Sequence, residues 1–161
     1  MANMAFYHLT RSSAAEALPL LLQKTLAAEK RALVCCDLDQ AALFSSALWS
    51  FGGGASGGGA YGEGSWLPHG VKGKDDADAD ICPIWFSDAP ENNQNNASFM
   101  FFINGIAPDH TDGMERVFIL FDGNSEAAVT NARQQWKALR EDGHDLSYWQ
   151  QDDAGRWSQS A

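Results

Sequence analysis

Arg133, Lys137 and Arg140 stand four and then three residues apart in a stretch free of Gly and Pro. With Ala128 at zero and about 100° per residue, they fall at roughly 120 to 180° on a helix. Beside them, at roughly 0 to 80°, lie Ala128, Ala132, Trp136 and Leu139, with Val129 and Trp136 on the border. A cationic stripe along an apolar edge suits a short acidic peptide that ends in a hydrophobic residue. The planar guanidinium grips a carboxylate through two parallel hydrogen bonds, and the apolar border takes the terminal side chain. From the pattern alone, a solvated face of an amphipathic helix explains the same spacing.

Other reactive residues carry weaker signals. His8, His69, His110 and His144 show no metal-ligand spacing. Cys35, Cys36 and Cys82 include no C-x-x-C pair. Cys35 and Cys36 are adjacent in a strand-like run, so their side chains are expected on opposite faces. Asp76, Asp78 and Asp80 mimic the start of a calcium loop, but Ile81 and Ser87 stand where Gly and Glu are needed. Residues 52–57 match G-x-G-x-x-G yet follow a helix pattern rather than a strand, which makes them a linker. No G-x-x-x-x-G-K-[ST] and no G-x-S-x-G occurs. Neither metal nor cofactor is expected. A catalytic trio assembled from distant residues stays open, so the alternative is a small α/β hydrolase-type enzyme with its active site at the strand ends. Trp49 and the run Ser65-Trp66-Leu67-Pro68-His69 fit either a core or an interaction patch, since Trp is enriched at interface centres.

The composition limits partners. The chain has 161 residues, 45% of them hydrophobic, which suits one domain over 1–161. Eleven Lys and Arg face 21 Asp and Glu, for a net charge of −10. Phosphate neutralisation needs cations, so direct DNA contact is disfavoured, as is an anionic membrane. No apolar run nears the roughly 20 residues that span a bilayer. The first ten residues lack a signal-peptide pattern. With the odd cysteine count, these features place the chain in the cytoplasm.

The elements that must position these residues alternate. Ala5–Leu9 reads as a strand. Ser13 and Glu16 form a capping-box signature for a helix to about Glu29, with Ala14, Leu18, Leu21, Leu22 and Leu26 on its apolar face. Ala32–Cys36 reads as a buried strand. Asp37 or Asp39 caps a second helix to about Phe51 that buries Leu43, Phe44, Ala47, Leu48 and Phe51. Residues 52–64, with eight glycines, read as a flexible loop. Residues 71–80 read as an acidic loop and 91–96 as an Asn-rich stretch. Ile81–Phe86, Phe99–Ile103 and Val117–Phe121 are unbroken apolar runs, as in strands covered on both faces. A helix over Ser125–Asp142, capped by Gly143, leads to a final strand over Leu146–Gln150, which Arg156-Trp157 extends or flanks. The expected fold is a three-layer, Rossmann-like α/β arrangement. Helices flank a mainly parallel or mixed sheet that lacks a phosphate-binding loop.

The chain resembles the chi subunit of bacterial DNA polymerase III. The resemblance rests on Phe6-Tyr7-His8-Leu9, Ala47-Leu48-Trp49, Trp66-Leu67-Pro68-His69-Gly70 and Pro83-Ile84-Trp85-Phe86. It continues through Glu115-Arg116-Val117-Phe118, Phe121-Asp122-Gly123, Ala132-Arg133, Trp136-Lys137, Tyr148-Trp149-Gln150 and Gly155-Arg156-Trp157. It implies a non-catalytic accessory subunit that joins the clamp-loader complex through the psi subunit. The resemblance also implies binding of the acidic, Phe-ended tail of single-stranded DNA-binding protein, with DNA contacted only indirectly. On this resemblance Arg133 meets the tail's terminal carboxylate, Lys137 and Arg140 attract its aspartates, and Val129 and Trp136 border the pocket for the terminal Phe. Some relatives have Lys where Val129 stands. Trp49, Trp66, Leu67 and Pro68 match the psi-facing patch.

Overall fold

The computed structural model describes residues 3–11, 13–49, 69–103, 106, 108, 110–154 and 156–160. Eight strands form one sheet: β1 Asn3–Leu9, β2 Ala32–Cys35, β3 Gly70–Val71, β4 Ile84–Ser87, β5 Phe99–Ile103, β6 Arg116–Asp122, β7 Asp145–Gln151 and β8 Trp157–Gln159. The order is β3-β4-β2-β5-β6-β1-β7-β8. Every neighbouring pair is parallel except β7 and β8. Three α-helices, α1 Ala14–Ala27, α2 Leu38–Trp49 and α3 Glu126–Glu141, flank the sheet, with a 3-10 helix at Asp76–Ile81. This is the expected three-layer, mainly parallel α/β fold.

Local chemistry sets the helix ends. The Ser13 side chain accepts from the Glu16 N–H and the Glu16 carboxylate accepts from the Ser13 N–H, so both donors are satisfied at the start of α1. Its end comes at Ala27 rather than Glu29, because Glu29 adopts φ 60° and turns the chain out of the helix. At the start of α2 the Asp37 carbonyl accepts from Gln40 and Ala41, while Asp39 lies in the first turn, where its charge favours the dipole.

Alternation along the strands divides the core in two. Leu18, Leu22 and Leu26 of α1 and Phe44 and Leu48 of α2 share one cluster with Tyr7, Val34, Phe86 and Phe118. Ala132 and Leu139 of α3 share the other with Met4, Phe6, Val117 and Ile119. Cys35 and Cys36 fall in different clusters, as expected of neighbours on a strand. With both faces covered, no strand interior needs polar residues, which explains the unbroken apolar runs.

Three segments differ from their sequence reading. Leu43, expected in the core, is 61% exposed. Around α2 it lies roughly 100 to 160° from Ala41, Phe44 and Leu48, the residues that are buried. The stretch 71–80, read as an acidic loop, begins in β3 and ends in the 3-10 helix. Two of its carboxylates, both at the surface, accept from the backbone: Asp75 from the Val71 N–H at 2.9 Å and Asp76 from the Gly73 N–H at 2.6 Å. The Asn-rich stretch contains a fully buried Asn95, whose side chain donates to the carbonyls of Ala32 and Cys82, both at 3.0 Å. Phe51 and the Gly-rich segment 52–64 lie outside the described residues.

Candidate functional site

The site is built on α3. Ser125 caps its first turn, accepting from the Ala128 N–H at 3.3 Å, and Gly143 at φ 85° lies just beyond its end. Ala132 and Leu139 anchor the helix to the sheet, which turns Arg133, Lys137 and Arg140 outward. Val129 and Trp136 are half-buried at the border, as the periodicity predicts.

Below the border lies an aromatic support that helix periodicity does not reveal. Trp136 meets the Phe6 ring edge-on at 5.3 Å and the Tyr148 ring at 5.8 Å. The Tyr148 hydroxyl and His8 Nδ1 are hydrogen-bonded at 2.6 Å, and the His8 ring rests on Phe121 at 5.0 Å. Burial pushes the Tyr148 phenol up, and the nearby Arg133 charge acts against that shift. Arg133 precedes Trp136 by one helical turn on α3 and so stands beside this support. Gly123 makes the arrangement possible: a Cβ there would run into the His8 ring and come within 2.8 Å of the Leu9 carbonyl.

The electrostatics separate these cations from most others. Arg11 pairs with Asp153, Lys30 with Glu115, Lys72 with Asp88 and Arg156 with Asp152. Arg31 donates to the Asp80 and Asn95 carbonyls, and Arg116 lies 4.9 Å over the Phe118 ring. Arg133, Lys137 and Arg140 make no ion pair or hydrogen bond among the described residues. Like charges three and four apart on a helix cost a few tenths of a kcal/mol each, so the stripe is not there for helix stability.

The other predicted residues lie mostly outside the described ones. Trp49 closes α2, but its side chain and all of Trp66, Leu67 and Pro68 lie outside the described residues. His69 follows them, hydrogen-bonded to Ser45 of α2 at 2.7 Å and edge-on to Phe86 at 5.8 Å. A crevice of about 440 Å³ opens at the carboxyl ends of β1 and β6. Nucleotide-binding α/β folds place a phosphate at such a point, against a helix N-terminus. Here the N-terminus of α1 already holds the Glu16 carboxylate, and Asp122 lines the same crevice. The Ser13 hydroxyl in that crevice is bonded to Glu16 at 3.1 Å, and no histidine is among its described lining residues. No described helix is long and apolar enough to cross a membrane.

A family model, the DNA polymerase III chi subunit, HolC, matches residues 1–147, and so contains all of α3. The chain belongs to this family. Chi membership makes it a DNA polymerase III subunit, tied to DNA replication. No curated protein matches the chain. The chi match stops just before Tyr148, so the aromatic support of α3 draws on a residue beyond it.

Proposed function

We propose that the chain is a chi-type accessory subunit without an active site of its own. In this reading it acts in the cytoplasm and links the replicase to the acidic C-terminal tail of single-stranded DNA-binding protein. The observation that carries the reading is the exposed, unpaired stripe of Arg133, Lys137 and Arg140 beside half-buried Val129 and Trp136. Arg133 grips the terminal carboxylate of the tail, Lys137 and Arg140 attract its acidic residues, and the Val129–Trp136 border receives the terminal side chain. Charge-assisted hydrogen bonds supply orientation and the apolar contact supplies grip. DNA is reached only through the protein that coats it, which reconciles a replication role with a net charge of −10.

The contact to psi, or to another clamp-loader subunit, is assigned to Trp49, Trp66, Leu67 and Pro68. What supports it is the resemblance of these residues to the family's patch, together with the anchoring of adjacent His69 on α2.

Fluorescence titration with a labelled acidic peptide ending in Phe tests the α3 reading. Arg133→Ala should weaken binding about tenfold or more, since hydrogen bonds to charged groups are each worth about 1.5–3 kcal/mol. Added salt should weaken the wild-type complex further. Tight binding that persists unchanged through both treatments would refute the mechanism.

A further inference from the structure

On the opposite face of the sheet from α3, the second half of α1, the starts of β5 and β6 and the edge strand β8 enclose a cavity of about 350 Å³. Its walls are aromatic. Trp157 meets the Tyr7 ring edge-on at 4.9 Å, Trp149 stacks on it at 6.1 Å, and Phe118 lies at 5.9 Å. Two cations, Arg116 and Lys24, also line it, beside Leu21, Thr25 and Ala28 of the α1 wall. Arg116 lies over Phe118, and among the described residues neither Arg116 nor Lys24 makes an ion pair.

The Tyr7 hydroxyl adds a polar group to the aromatic wall. Tyr7 is only 7% exposed and lines the cavity, yet its hydroxyl has no hydrogen-bond partner among the described residues. The hydroxyl is not sealed from water, so an acceptor that enters the cavity can replace solvent as its partner. In a chain of net charge −10, two unneutralised cations around an aromatic box select a ring accompanied by negative charge.

The surroundings favour a peptide. β8 is the outermost strand on its side of the sheet, and Trp157 reaches from it into the cavity. The cavity thus reaches the edge of the sheet, where a chain segment can lie across the rings. A nucleotide is disfavoured, because the cavity lies beside the amino ends of β5 and β6, away from the carboxyl-end crevice where α/β folds place phosphates. We propose that this cavity binds an acidic partner peptide. Its aromatic side chain packs on the rings of Tyr7 and Trp157, and flanking carboxylates meet Arg116, Lys24 and the Tyr7 hydroxyl. Trp149 and Trp157 lie beyond the family match, and the inference does not depend on the α3 reading.

The test is calorimetric titration of the full chain with an end-blocked Asp-Asp-Phe-Asp-Asp peptide. Saturable binding is expected, weakened at least about tenfold by Arg116→Gln and a few-fold by Lys24→Gln, and unchanged by Arg133→Ala. Lys24 is an exposed helix residue, so its variant remains informative if Arg116→Gln fails to fold. Any of several results would overturn the proposal. These are no saturation at millimolar peptide, equal binding with Ala in place of Phe, and equal binding of free phenylacetate. Displacement by oligothymidylate would do the same, as would a loss caused by Arg133→Ala.

Discussion

The sheet carries cations beside aromatic rings on both faces, and the two surfaces are built in opposite ways. On the α3 side one helix supplies Arg133, Lys137 and Arg140, all turned to solvent, and the rings beneath are satisfied: the Tyr148 hydroxyl is bonded to His8. On the α1 side the rings come from β1, β5, β6, β7 and β8, the cations come singly from α1 and β6, and the Tyr7 hydroxyl is unpaired. A stripe on one helix can be tuned one charge at a time. An enclosure shared by six elements works as a unit, and any wall that moves changes the whole.

The strongest way to break the α3 surface is from below. Gly123→Ala forces a methyl group into the His8 ring and should lower stability by about 1–3 kcal/mol, read as a drop in the thermal midpoint. The same change should release Tyr148 and weaken tail-peptide binding while sparing the α1-side cavity. A paired substitution sharpens the comparison. Tyr148→Phe should cost about 1 kcal/mol in denaturant unfolding, since it strands His8 Nδ1. Tyr7→Phe should be nearly neutral without ligand, because no hydrogen bond is lost. Equal effects from the two would erase the distinction drawn between the surfaces.

A smaller effect tests the graded character of the stripe. Lys137→Ala and Arg140→Ala should each weaken tail-peptide binding a few-fold, and high salt should close the gap to wild type, as expected of exposed charges.

The least effect comes from acid. Hydrogen bonds from Lys72 and Lys30 hold the Asp88 and Glu115 carboxyls below their ordinary range. A carboxyl lowered on folding contributes stability above its unfolded pKa of about 4, and that contribution disappears as pH falls through the folded value. Lys72→Gln should therefore be slightly less stable than wild type at neutral pH and indistinguishable from it in strong acid, measured by urea unfolding across pH.

What could be read from the sequence follows the same division. α3 was legible because its information is local: Ser125 and Gly143 mark its ends, and 3.6-residue periodicity sorts Ala132 and Leu139 from Arg133, Lys137 and Arg140. The buried strands were legible as unbroken apolar runs, except that Ile81, first in its run, is 66% exposed and ends the 3-10 helix, while β4 begins at Ile84. Strand order was not, because β1 pairs with β6 and β7, more than a hundred residues away in sequence. The His8–Tyr148 bond joins residues 140 positions apart, and the Tyr7 cavity spans a similar interval, so no window on the sequence contains either. Leu43 misled because hydrophobicity alone does not say which side of a helix faces the sheet. The acidic stretch is exposed as read, but it turns through a 3-10 helix, and carboxylates that accept from nearby backbone N–H groups look in sequence like those of an open loop.

The position of β1 has a consequence for how the molecule breathes. It is paired along its length with β6 and nearly so with β7, and Met4, Ala5 and Phe6 are almost completely buried. Its amide protons can meet solvent only when the centre of the sheet opens, so in heavy water they should be among the last to be replaced by deuterium. The short edge strands β3 and β8 should exchange first. Because β1 holds Phe6 and His8 beneath α3 and Tyr7 beneath α1, both proposed surfaces rest on the slowest-opening strand, while Trp157 in the cavity wall sits on β8, among the fastest.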